Sequence, residues 1–137
     1  MLIYLAAPYS HPEPEVRAAR VKEATRVAAF LMTKGNTVFS PITHGHAVAE
    51  FLPEGLALDH EFWMRQCRPM LEVADALLIL PLEGWHRSRG VMAERGWAEE
   101  LQLPEFFWSL TAPRPTLTDY RGLAHNDEYL ILRGSHD

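Results

Sequence analysis

The residues best suited to chemistry lie in one stretch, Gly84-Trp85-His86-Arg87-Ser88-Arg89-Gly90-Val91-Met92-Ala93-Glu94-Arg95-Gly96-Trp97-Ala98. Ser88 suits the N-cap of a helix, its hydroxyl accepting from a first-turn amide. The amides of Arg89, Gly90 and Val91 then point outward at the positive end of the helix dipole, where a phosphate can be held. Gly90 carries no side chain, so such an anion can approach the backbone closely. A plain helix cap explains Ser-x-Gly equally well.

Glu94 sharpens the case. At roughly 100° per residue, Gly90, Val91, Trp97, Ala98 and Leu101 fall within about 60° of it, so the carboxylate sits in the stripe that should be buried. An ionised carboxylate without partners is costly there. Two accounts follow. Either Arg17 or Arg20 of an earlier helix pairs with Glu94, or it is a reactive group about one and a half turns below a bound anion.

Tyr9 and Ser10 stand in an early loop, where a tyrosine can orient a carboxylate or simply pack half-buried. Arg20 and Glu23 have the spacing to pair with each other on one helix face. His44-Gly45-His46 offers two imidazoles, but no further Cys, His or Asp stands at ligand spacing, so no metal is expected. Phe51, Phe62, Trp63 and Trp85 could stack on a planar base or merely fill the interior. Cys67 reads as a small buried hydrophobe. The chain has no Gly-x-Ser-x-Gly elbow, phosphate loop of the Walker type or Gly-x-Gly-x-x-Gly turn.

The elements that must position these residues alternate. Residues 2–6 form a continuous apolar run, expected to be a strand buried on both faces. A helix is expected over 13–34, with Val16, Ala19, Val27, Phe30 and Leu31 inward and Gly35 ending it. Residues 37–39 make a second strand, 41–55 a loop, and 56–72 a helix that Pro69 should kink. Residues 74–80 are the third strand, 88–103 a helix stopped by Pro104, 106–108 a fourth strand and 129–132 a last short one. This order implies an α/β fold of three layers around a mostly parallel sheet of four or five strands. Ligands of such sheets sit beyond the carboxyl ends of the strands. The loops at 7–12, 40–46 and 82–88 lie there, which gathers Tyr9, Ser10, His44, His46, Trp85 and Ser88 at one edge.

The chain has 137 residues, 47% of them hydrophobic, which suits one domain with its own core; residues 110–137 carry no recognisable pattern and read as an irregular extension. A formal charge of −5 argues against a nucleic-acid polymer or an anionic membrane as partner. The single cysteine, Cys67, offers no internal disulfide. The opening residues lack the basic start of a signal peptide, and no apolar run reaches the roughly 18 residues of a membrane span, so a cytoplasmic protein is expected.

On four blocks the chain resembles the nucleoside 2-deoxyribosyltransferase superfamily, and within it the DUF1937 branch. They are Tyr4-Leu5-Ala6-Ala7-Pro8-Tyr9-Ser10, Phe39-Ser40-Pro41-Ile42-Thr43-His44-Gly45-His46, Ala74-Asp75-Ala76-Leu77-Leu78-Ile79-Leu80, and Gly84-Trp85 with Ser88-x-Gly90-x-x-x-Glu94-x-Gly96-x-Ala98. The resemblance implies a flavodoxin-like fold and work on the N-glycosidic bond of a nucleoside or nucleotide. It makes Glu94 the nucleophile and Tyr9 the residue that orients it. Ser88 and Gly90 hold the sugar's 5′ end or its phosphate, and Ser10 lines the sugar site. It implies retention through a covalent intermediate, no cofactor, and dimers or higher oligomers. One departure matters: many relatives carry an Asp eight residues before the third-strand Asp, where this chain has Cys67. Asp59, His44 and His46 are candidates to help the base depart instead. Three readings therefore stand: an N-glycosidase or deoxyribosyltransferase, a nucleotide-sensing module without catalysis, and an interaction protein with Glu94 in a salt bridge.

Overall fold

A computed structural model describes residues 1–110 and the backbone of a short strand at Leu130–Leu132. The remaining expectations for 110–137 lie outside the described residues. The order is β1 (Leu2–Ala6), α1 (Pro14–Thr33), β2 (Thr37–Phe39), α2 (Pro41–Ala49), α3 (Glu54–Ala57), α4 (His60–Glu72), β3 (Ala76–Ile79), a 3-10 turn (Trp85–Arg87), α5 (Arg89–Glu100), β4 (Glu105–Trp108) and β5 (Leu130–Leu132).

The sheet runs β2-β1-β3-β4-β5, with the first four strands parallel and β5 antiparallel at the edge. This is the expected flavodoxin-like α/β arrangement. Tyr4 pairs with Phe39 on one side and Leu77 on the other, so β1 is central and its side chains are sealed on both faces. One face packs Ile3, Leu5, Leu78 and Leu80 against Ala24, Val27, Phe30 and Leu31 of α1. The other packs Tyr4, Ala6, Leu77 and Ile79 against Cys67 and Leu71 of α4 and Val91 and Ala98 of α5. Alternate residues of one strand thus feed two cores, as the pleat requires.

Three expectations need correction. Residues 41–49 are a helix, not a loop: Ser40 caps it by accepting from the Thr43 amide, and Pro41 occupies the first turn, where its missing N–H costs nothing. The helix expected over 56–72 is split. Asp59 accepts from the Glu61 and Phe62 amides and starts α4 afresh, while Pro69 sits inside its last turns without ending it. On α1, Ala19 is exposed, and the inner face is carried by Ala24 and Ala28 with Val27, Phe30 and Leu31. The α1 end is as expected, with Gly35 at a φ of 90° just beyond it.

Candidate functional site

Each parallel strand delivers its following segment to the same sheet edge, and one side chain of α1 joins two of those segments. Arg20 donates to the carbonyl of Ser10 after β1 at 3.0 Å and to that of Glu83 after β3 at 2.9 Å. Among the described residues no ion pair joins it to Glu23, and Glu23 pairs with Arg26. Gly84, with a φ of 86°, makes the turn that lets the chain pass here. The Nη2 atoms of Arg20 and Arg87 stand 3.5 and 3.9 Å from where its Cβ would be. Two guanidinium groups thus converge just before α5.

Ser88 caps α5, its hydroxyl accepting from the Val91 amide at 3.2 Å. About one and a half turns on, Glu94 shares the buried side of the helix with Val91 and Ala98 and is 4% exposed. Arg17 donates to the carbonyls of His11 and Pro12, and Arg20 to the two carbonyls above. Among the described residues no ion pair reaches Glu94. A Cβ on Gly90 would lie 3.8 Å from Glu94 Oε1, 3.8 Å from Met64 Cε and 3.9 Å from Ser88 Oγ. Without a side chain at Gly90, only backbone stands between the Ser88 cap and the Glu94 carboxyl at this point.

Beneath Glu94 lies a residue that the sequence reading left out. Tyr4 is fully buried on β1, and its hydroxyl faces the Glu94 carboxyl and the Cys67 thiol without a hydrogen bond of ordinary geometry to either. Burial pushes the Glu94 carboxyl up to about 8, while the Tyr4 hydroxyl draws it partway back. Burial also pushes the Cys67 thiol up to about 11. The Tyr4 phenol is driven far upward by burial first and by Glu94 second. At neutral pH the cluster is therefore uncharged or nearly so. A signal for Tyr4 was present: a phenol inside an aliphatic strand buried on both faces needs a polar neighbour for its tip.

Tyr9 was expected to orient Glu94. Its hydroxyl instead lies 2.7 Å from His46 Nδ1, with the two rings edge-on at 5.7 Å. His44 is exposed and tilts against Phe39 at 5.9 Å. Ser10 is exposed and contributes its carbonyl to Arg20. Trp85 is half-buried, edge-on to Phe107 at 5.3 Å and beneath the Arg95 guanidinium at 5.5 Å. Arg95 in turn grips Glu105 through two bonds of 3.2 and 3.0 Å. Asp59 spends its carboxylate on the start of α4, and Phe51 is 88% exposed. Among the described residues no group of three or more His, Cys, Asp or Glu could hold a metal ion, and no helix is long and apolar enough to cross a membrane.

A family model described as a domain of unknown function, DUF1937, matches residues 1–110. In three dimensions the chain is similar to the 2-deoxyribosyltransferase of the psychrotolerant bacterium Bacillus psychrosaccharolyticus. The two share 22% identity and a TM-score of 0.56 over 87% of this chain and 80% of that one. That enzyme is described as a biocatalyst for the synthesis of antiviral and antitumoral nucleosides. No curated protein matches the chain.

Proposed function

The chain belongs to the DUF1937 family, and from that membership and the geometry around Glu94 we propose that it cleaves or transfers at the N-glycosidic bond of a nucleoside or, in preference, a nucleoside 5′-monophosphate. The supporting observation is a glutamate 4% exposed, without an ion-pair partner among the described residues, whose carboxyl lies 3.8 Å from the position a Gly90 Cβ would take. A salt-bridged structural glutamate would look different.

In this reading the Glu94 carboxylate attacks C1′ of the sugar as the C1′–N bond breaks and its electron pair leaves with the base. An ester between Glu94 and C1′ results. Water or a second base then attacks C1′ from the vacated side, freeing the carboxylate with overall retention. Tyr4 is the positioning residue for Glu94, in place of Tyr9. Ser88 and the first amides of α5 hold the 5′ end. Arg20 and Arg87, converging on Gly84, favour a phosphate there over a neutral hydroxyl. Ser10, His44 and Trp85 line the approach. The test is incubation with a panel of nucleosides and their monophosphates, with and without a free acceptor base, followed by chromatography. Base released or exchanged by the natural protein and lost in Glu94→Ala supports the reading. Equal release by both proteins overturns it.

One observation favours a second reading, a nucleotide-sensing module. The thiol of Cys67, held at about 11 by burial, is a poor proton donor to a departing base. Calorimetric binding of a monophosphate with no base release on long incubation would establish that alternative.

A further inference from the structure

A base leaving a nucleoside carries away an electron pair and departs far more easily if a ring nitrogen is protonated as it goes. Neither Cys67 nor Asp59 suits that role: the first is a buried neutral thiol and the second accepts two amides at the head of α4. Of the two histidines on α2, His44 is exposed and tilts against Phe39, whereas His46 is held by the Tyr9 hydroxyl at the sheet edge.

Resting on the proposed glycosidic chemistry, we propose that His46, held by Tyr9, is the general acid that protonates the departing base. Two observations carry this. The 2.7 Å bond between the Tyr9 hydroxyl and Nδ1 fixes the imidazole and leaves Nε2 as the nitrogen able to act elsewhere. The pair also stands on the correct side of the molecule. Tyr9 follows β1, which is hydrogen-bonded to β3, and β3 leads through its loop to the helix of Glu94. Gly45, the neighbour of His46, abuts Trp63 of α4, and the next residue, Met64, reaches to within 3.8 Å of the Cβ position of Gly90. Two adjacent residues of α4 thus span from the imidazole's helix to Gly90, whose Cβ position is 3.8 Å from the Glu94 carboxyl.

The proton balance closes without another reactant. The imidazolium donates its Nδ1–H to the Tyr9 oxygen and gives its Nε2 proton to a ring nitrogen of the base as the C1′–N bond breaks. The imidazole is left neutral, with Nδ1–H still held by Tyr9. Burial raises the Tyr9 phenol, although the Arg17 guanidinium beside it pulls the other way, so it stays protonated and serves as an uncharged anchor. When water is the acceptor, the same neutral imidazole is placed to take its proton, which restores the starting state.

The test compares His46→Gln and Tyr9→Phe with the natural protein on matched substrates. One carries an ordinary base; the other carries a base that leaves without a proton, an N7-methylated purine, or leaves with less help, a 5-fluorinated pyrimidine. His46→Gln is expected to slow release of the ordinary base by roughly 10²–10⁴-fold, the usual worth of a general acid, and to leave the activated substrate nearly unaffected. Tyr9→Phe should show the same selectivity with a smaller loss. Equal slowing of both substrates, or no slowing of either, overturns the assignment while Glu94-dependent release of the activated base leaves the glycosidic reading intact. If the activated base is released no faster by the natural protein than by Glu94→Gln, both fall.

Discussion

The phenol of Tyr4 and the carboxyl of Glu94 face each other between β1 and α5, both sealed from solvent, at 0% and 4% exposure. Neither has a charged partner among the described residues. Two polar tips are thus held in an otherwise apolar layer of Ala6, Leu71, Leu77, Ile79, Val91 and Ala98. Such an arrangement subtracts from stability, so its presence is more economically explained by chemistry than by folding.

Replacing Glu94 tests this directly. Glu94→Ala should lower base release by at least about 10³-fold, the scale on which losing a nucleophile is felt. Glu94→Gln should be as inactive yet fold normally, because no ion pair is broken. Chromatography of released base and urea denaturation check the two halves. A large loss of stability in Glu94→Gln would mean that the side chain is structural.

The pH dependence has a definite sign. In the proposed reaction Glu94 must be ionised to attack, so kcat/KM of the natural protein on a nucleoside whose base leaves without a proton should climb as pH rises through about 8. Stability should move the other way. The folded chain holds this proton where the unfolded chain has lost it, so unfolding free energy falls from the ordinary carboxylate range up to about 8 and then levels. In Glu94→Gln that decline should vanish, leaving the variant the more stable protein at pH above about 8. Denaturant titrations across the range measure it.

Tyr4→Phe removes the hydroxyl that draws the Glu94 carboxyl downward. The rising limb of the kcat/KM profile should therefore shift to higher pH. Thermal stability should hold or improve, since a buried unsatisfied hydroxyl costs about 1–3 kcal/mol. A profile unchanged in midpoint would separate Tyr4 from Glu94.

Gly90→Ala should split stability from activity. The new methyl meets its neighbours at ordinary contact distances of 3.8 and 3.9 Å, and alanine in a helix is worth roughly 1 kcal/mol over glycine. The variant should melt at the same or a higher temperature. The same methyl stands 3.8 Å from the Glu94 carboxyl oxygen, so if substrate enters over Gly90 KM should rise sharply. Unchanged kinetics would show that substrate does not enter there.

Much of this architecture is written plainly in the chain. The aliphatic runs of β1 and β3 and the stripe of α1 announce a parallel α/β sheet, and the step from Ser88 to Glu94 already places a carboxyl below a helix start. What escaped depends on space rather than order. Pro41 looks like a terminator until Ser40 is seen capping α2. The partners of Arg20 are backbone carbonyls, one of them 63 residues away, where a local rule offers Glu23. The role of Tyr4 emerges only when α4 and α5 close over it, because a strand's own pattern does not say what will face each side chain.

Gly45 has a consequence for how α2 is seated. A Cβ there would come within 3.1 Å of the Trp63 ring, so the two helices meet through an absence. An added carbon at residue 45 obliges the indole or α2 to yield by a few tenths of an ångström, and α2 is the helix that carries the imidazole one residue further on.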